Sequence, residues 1–127
     1  KGAYAWQRIL NSGASISFGT DWPVEPLDPM RGLYSAVTRE GIEIPDPDGG
    51  WFPDQKLTMA EAIRLYTLDA AYGEFQENEK GSITAGKLAD IIILSQDLFS
   101  IPPREILETK VDVTIFDGEV VYERVSR

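Results

Sequence analysis

This sequence predicts an α+β chain, on three observations. Before about Glu74, apolar residues recur at helical spacing in three stretches. From Lys80 the period changes to two, the mark of strands. One alternating stretch, Ala14 to Thr20, stands apart as an early strand.

The first helix covers Tyr4 to Leu10, where Ala5, Trp6, Ile9 and Leu10 recur at helical spacing, and Asn11-Ser12-Gly13 ends it. In the strand that follows, Ile16 and Phe18 share one face. Helix, glycine turn and strand form one αβ step. Pro23, Pro26 and Pro29 then bar a regular element. Met30, Leu33, Tyr34 and Val37 fall at i, i+3, i+4 and i+7, which predicts a helix over Met30 to Arg39. Gly41 to Gln55 reads as a long loop, because Pro45, Pro47, Gly49, Gly50 and Pro53 leave no room for a helix. Trp51 and Phe52 are expected to anchor that loop or to meet a substrate.

The third helix, Thr58 to Tyr72, has the clearest local signals. In "TMAE", Thr58 can cap the helix and Glu61 can complete a capping box. Met59, Ala62, Ile63, Tyr66 and Ala70 make one stripe, which Leu65 and Leu68 widen, and Gly73 supplies a stop. So wide a stripe asks for burial. Further on, "KGSITAGKLADIIIL" predicts two short strands with Gly86 in the turn. Ile91 to Leu94 is apolar at every position, as in a strand covered on both faces. "SIPPREIL" is a proline-broken connection ending in a short helix. "VDVTIFDGEVVYER" is a hairpin whose turn, Asp117-Gly118, suits type I′.

Composition narrows the function. The 127 residues suit one ordinary domain with a sizeable core. Hydrophobic content of 43% and charged content of 26% exclude a disordered chain. A formal net charge of −9 repels phosphate backbones, so no nucleic-acid partner is expected. No apolar run exceeds four residues and no basic-then-apolar leader opens the chain, so a cytoplasmic protein without membrane contact is expected. The chain begins at Lys1 instead of Met, which suits a piece of something longer. Without cysteine there is no disulfide, thiolate nucleophile or Cys-type zinc site. Without histidine, the commonest general base and the commonest metal ligand are both missing.

The candidate site lies in "SFGTDWPVEP", Ser17 to Pro26. A carboxylate at the end of an apolar strand, followed at once by Trp22-Pro23, is either a turn former or a catalytic group. Asp21 and Glu25 are also a candidate carboxylate pair for glycoside cleavage, although their separation across Pro23 is not set by sequence. Trp22 is placed either to shape a substrate pocket or to pack in the core. Gly86-Lys87 lacks the preceding glycine and following Ser/Thr of a phosphate loop.

Four motifs in this order carry a resemblance. They are "GTDWPV", a "T-x-x-E-A" helix with Ala-Ala near its end, "GSITAGKLADIIIL", and a terminal "V-x-V-T-I-x-x-G-x-V-V-Y" hairpin. Together the chain resembles the metal-dependent amidohydrolase superfamily. The nearest branch is the amidohydrolase-3 type, which includes N-substituted formamide deformylases and resembles N-acyl-D-amino-acid deacylases. The resemblance covers nearly the whole chain but only the C-terminal portion of such an enzyme. Gly81 to Asp90 is its most specific part.

The resemblance implies a (β/α)8 barrel with a small β-sandwich built from both chain ends. Ile16 to Asp21 would be the last barrel strand, and Met30 to Arg39 and Thr58 to Tyr72 would be outer helices. Residues 1–75 would thus belong to the barrel and 76–127 to the sandwich. Barrel enzymes carry catalytic groups at the C-terminal ends of strands, where Asp21 would sit. By resemblance, Asp21 binds a divalent metal, zinc, or the water on it, and moves the proton to the leaving amine. The substrates implied are N-formyl or N-acyl amines, small molecules with a non-peptide carbon–nitrogen bond. The family's His-x-His, its bridging lysine or acid and its later metal histidines belong upstream and are missing here. One carboxylate cannot hold a catalytic zinc, which needs about three protein ligands. The chain alone is therefore expected to be metal-free and inactive. Asp69 stands where the family more often has asparagine before Ala-Ala.

Two readings follow. The chain is the C-terminal piece of a metal-dependent C–N hydrolase, or a non-catalytic domain that self-associates or binds a partner. A homo-oligomer is expected, because Ile16, Phe18, Ile63 and Tyr66 would lack barrel neighbours unless rearranged helices covered them.

Overall fold

Asp28 starts the helix around which the core is built. A computed structural model describes residues 3–44 and 48–125. In it the Asp28 carboxylate accepts a hydrogen bond from Met30 N at 3.0 Å, and Pro29 occupies the first helical position. Helix α2, Pro29–Thr38, buries Met30, Leu33 and Tyr34 as the spacing predicts, and also Ala36 and Thr38. The wider burial arises because α2 is packed on two sides. One neighbour is helix α3, Met59–Tyr66, and the other is the 3-10 helix Pro103–Glu108. Leu57, Ala62, Leu65, Leu98 and Ile106 complete this core. Tyr34, only 1% exposed, donates its hydroxyl hydrogen to Glu40 at 3.0 Å and accepts one from Arg104 at 3.2 Å. The buried phenol is thereby satisfied.

Helix α1, Trp6–Asn11, precedes a turn at Gly13, whose φ of 81° places it in the left-handed region. Ala14 to Thr20 then forms neither helix nor strand and pairs in no ladder. The predicted alternation survives, with Ile16, Phe18 and Thr20 half-buried and the residues between them exposed. The predicted strand does not, because Phe18 N finds its acceptor in a helix, at Leu65 O, 3.0 Å away. Ile16, Phe18, Ile63 and Tyr66 are half-buried against the core instead of bare.

The capping box forms as predicted: Glu61 N donates to Thr58 Oγ1 and Thr58 N to the Glu61 carboxylate. The single helix over Thr58 to Tyr72 does not. It breaks at Thr67, at φ −122° and ψ −86°, into α3 and α4, Leu68–Gly73. Leu65 O, which an unbroken helix would bond to Asp69 N, bonds Phe18 N instead. Gly81 explains how close the chain comes to this break. A Cβ there would lie 2.8 Å from Ala71 Cβ and 2.9 Å from Leu68 Cα. Gly73 ends α4 from inside it, and the left-handed residue beyond the helix is Phe75 at φ 60°.

The β region is one antiparallel sheet in the order β1-β2-β3, formed by β1 Ile91–Leu94, β2 Val111–Phe116 and β3 Glu119–Glu123. Asp117 and Gly118 both have positive φ, 49° and 81°, as a type I′ turn requires. The tip is tied down where β1 begins: Asp117 N donates to Asp90 Oδ1 at 2.9 Å and Gly118 N to Ala89 O at 3.2 Å. Residues 80–88, predicted as strand and turn, form no strand. They fold around Lys87, whose ammonium donates to Glu77 O, Lys80 O and Ser82 Oγ. Gly86 does turn the chain, at φ 92°. The expectation that β1 is covered on both faces is also corrected, since Ile92 is 48% and Ile93 51% exposed. The sheet has three strands among the described residues, with β2 half-buried over Val111 to Ile115 and Leu94 of β1 packed against the helical core. Within the predicted loop a 3-10 turn forms at Pro53–Gln55, while Pro45, Asp46 and Pro47 lie outside the described residues. Among the described residues no helix is long and apolar enough to cross a membrane.

Candidate active site

Residues 21–24 form the turn that follows Ala14 to Thr20. Val24 N donates to Asp21 O at 2.8 Å, across a cis Trp22–Pro23 bond. Asp21 has φ 53°, a left-handed conformation that aspartate tolerates better than most residues. The backbone carbonyl closes this turn, so the carboxylate is not needed for it. The side chain is exposed and has no hydrogen-bond partner among the described residues.

Asp21 lines a cleft of about 850 Å³. Alternation along Ile16 to Thr20 brings Phe18 to it, and Trp6 and Tyr66 line it too. Trp6 and Phe18 meet edge to face at 5.3 Å, and Phe18 meets Tyr66 at 5.5 Å. Gly32 makes room for the last of these, since a Cβ there would overlap Tyr66 Oη. Burial pushes the Tyr66 phenol above its ordinary pKa, so it remains a proton donor at neutral pH. Glu25, Asp28 and Arg31 lie on the same cleft, as do residues 40–44. Arg31 Nε is buried and has no hydrogen-bond partner among the described residues.

The sequence pointed to Asp21 and Trp22. The structure places Asp21 on the cleft and brings Glu25 to it. Trp22 is 62% exposed and is not among the residues lining it. The aromatic wall, Arg31 and residues 40–44 were not legible as site residues. Trp6 and Tyr66 carry an apolar-stripe signal that reads equally well as core. Residues 40–44 follow α2 in sequence, and only the fold of the loop brings them onto the cleft that Asp21 lines.

A catalytic metal does not fit these residues alone. The chain has no histidine and no cysteine. Among the described residues no three His, Cys, Asp or Glu side chains gather into a group able to hold an ion. Any metal would need ligands from elsewhere.

The model of the amidohydrolase family matches residues 1–122. The chain belongs to the amidohydrolase family. It is 34% identical over 125 residues to YtcJ of Bacillus subtilis strain 168, an amidohydrolase by name, covering 98% of this chain and 23% of that protein. It is 33% identical over 118 residues to the N-substituted formamide deformylase of Arthrobacter pascens, covering 93% of this chain and 21% of that enzyme. Among solved structures, an amidohydrolase from Thermotoga maritima MSB8 superposes with a TM-score of 0.70 at 21% identity, over 95% of this chain and 26% of that one. That likeness shows that the α+β arrangement of this amidohydrolase chain is one found in a solved amidohydrolase. The chain spans about a quarter of the length of these relatives.

Proposed function

We propose that this amidohydrolase chain is the C-terminal portion of a metal-dependent hydrolase that cleaves non-peptide carbon–nitrogen bonds, with N-formyl and N-acyl amines as substrates. The observation that carries this reading is the unengaged Asp21 carboxylate, which lines the cleft while its own backbone closes the turn. The similarity to an N-substituted formamide deformylase supports the substrate class. Residues 1–75 belong, on this reading, to a (β/α)8 barrel, in which Ile16 to Asp21, unpaired in this chain, would become the last strand once a neighbouring barrel strand lies beside it, and 76–127 to a small β-sandwich. Family membership favours this over a non-catalytic, self-associating domain.

Asp21 would accept a proton from the attacking water as its oxygen bonds the carbonyl carbon. It would return that proton to the nitrogen as the C–N bond breaks, leaving a carboxylic acid and an amine. Trp22, beside Asp21 but outside the cleft lining, would meet only an apolar part of the substrate that reaches beyond the cleft. The metal, zinc or another divalent ion, would be held by residues outside this chain, with Asp21 as its single ligand here. The chain alone would be inactive, and the complete enzyme a cytoplasmic homo-oligomer.

The test is steady-state kinetics on the complete natural protein at matched metal content. Asp21→Asn keeps size and removes the proton acceptor, so kcat is expected to fall roughly 10²–10⁴-fold. Near-parental kcat would reduce Asp21 to a turn residue.

A further inference from the structure

The segment after α2 forms one wall of the cleft. Tyr34 and Thr38 bond its first residue, Glu40, and Arg39 links it to the far end of the loop. Arg39 caps α2 in the left-handed region, at φ 62°, and is 7% exposed. Its Nε donates to Trp51 O at 2.9 Å, while Trp51 N donates back to Arg39 O at 2.8 Å. Its guanidinium lies 4.4 Å from the centre of the Trp6 ring and 5.0 Å from that of Trp51. Trp6 lines the cleft, as do residues 40–44, which begin immediately after Arg39. Gly50 admits this packing, since a Cβ there would overlap Thr38 O. Arg39 therefore ties three things together: the end of α2, an aromatic wall residue, and the far end of the loop.

We propose that Arg39 is a positioning residue that sets the shape of the substrate cleft by holding residues 40–44 and Trp6 in register. Arg39 is not itself among the residues lining the cleft, and it acts through Trp6 and Trp51. Resting on the amidohydrolase reading above, the proposal assigns to this wall the selection of the amine part of the substrate, while proton transfer stays with Asp21. A flat, delocalised cation with an Nε donor is needed. Lysine offers neither the stacking face nor that donor.

Arg39→Met and Arg39→Lys are made in the complete natural protein. Both are expected to raise KM at least about tenfold for N-formyl amines with a bulky amine part, given a lost buried hydrogen bond and two cation–π contacts. The kcat and its pH profile should stay within about twofold of the parent for the smallest N-formyl amine. Amide hydrogen exchange supplies a second readout that needs no activity. The Trp51 amide, which bonds Arg39 O, should exchange at least about tenfold faster in both variants, while the Leu57 amide, which bonds Ala36 O, should be unchanged. Full rescue by lysine, or an unchanged Trp51 amide, would overturn the proposal. So would KM unaltered for every amine. If the parent hydrolyses no amide while the Trp51 amide behaves as stated, the substrate reading fails and the positioning role of Arg39 stands. If Leu57 also speeds up, the variant has loosened α2 as a whole and the specific role is refuted.

Discussion

Leu65 and Val120 are both apolar residues inside regular elements, yet Leu65 is 1% exposed and Val120 60%. The difference separates two regions. Around α2 the apolar stripes of neighbouring segments bury one another, and backbone and side-chain bonds fit around that packing. In the sheet the backbone ladder links all three strands, while both faces of β1 and much of β3 remain open. A hydrophobic pattern records what a segment is suited to bury, and it does so whether or not the partner is part of the same 127 residues.

Truncation breaks the comparison most directly. Leu65→Ala is expected to cost about 2–5 kcal/mol, as for other buried leucines. Val120→Ala should stay within about 0.5 kcal/mol, as for exposed sites. Urea denaturation of both variants measures the contrast, and equal costs would mean that the sheet is covered in solution.

Gly81 lies at the seam between the regions, and a comparison of two glycines sharpens the point. Gly81 and Gly86 both have positive φ, 86° and 92°, but a Cβ at Gly86 would meet nothing within 4 Å. Gly86→Ala should cost about 1–2 kcal/mol from the left-handed backbone alone. Gly81→Ala should add about 1–3 kcal/mol of overpacking against α4. Thermal melts that rank the two equally would show that residues 80–88 do not press on the helix break.

The smallest expected effect is at the N-terminus of α3. The backbone bond from Thr58 holds the Glu61 carboxyl below its ordinary pKa. A depressed carboxyl stabilises the fold above its unfolded pKa, and the contribution is lost as pH falls through the folded value. Thr58→Ala should cost about 1 kcal/mol at neutral pH. Glu61→Gln should cost roughly 0.3–1 kcal/mol there and nothing at strongly acidic pH. A stability difference for Glu61→Gln that grows on acidification would contradict the assignment.

What could be read in advance follows the same division. The capping box, the α2 stripe and the Asp117-Gly118 turn are local signals, decided by residues a few positions apart, and all three are present. The Thr67 break depends on Phe18 taking the Leu65 carbonyl, a partner 47 residues away, so no local pattern shows it. The loop around Lys87 depends on the carbonyls of Glu77 and Lys80, which every residue possesses. On the cleft, Asp21 stands out in the sequence through the "GTDWPV" motif of the resemblance, since its position alone fits a turn former and a catalytic group equally. Arg39 was not, because its partners Trp6 and Trp51 flank it from opposite directions in the sequence.

Asp90 carries one more consequence. Ile91 to Leu94 is apolar at every position, so sliding β1 by one residue along β2 would exchange its faces without exposing a single polar side chain. Composition therefore provides no penalty against such a slip. The bonds from Asp117 N to Asp90 and from Gly118 N to Ala89 provide one, because both would be lost together. In "GKLAD" the aspartate thus serves as a zero mark on the ruler, from which the alignment of the strands is counted.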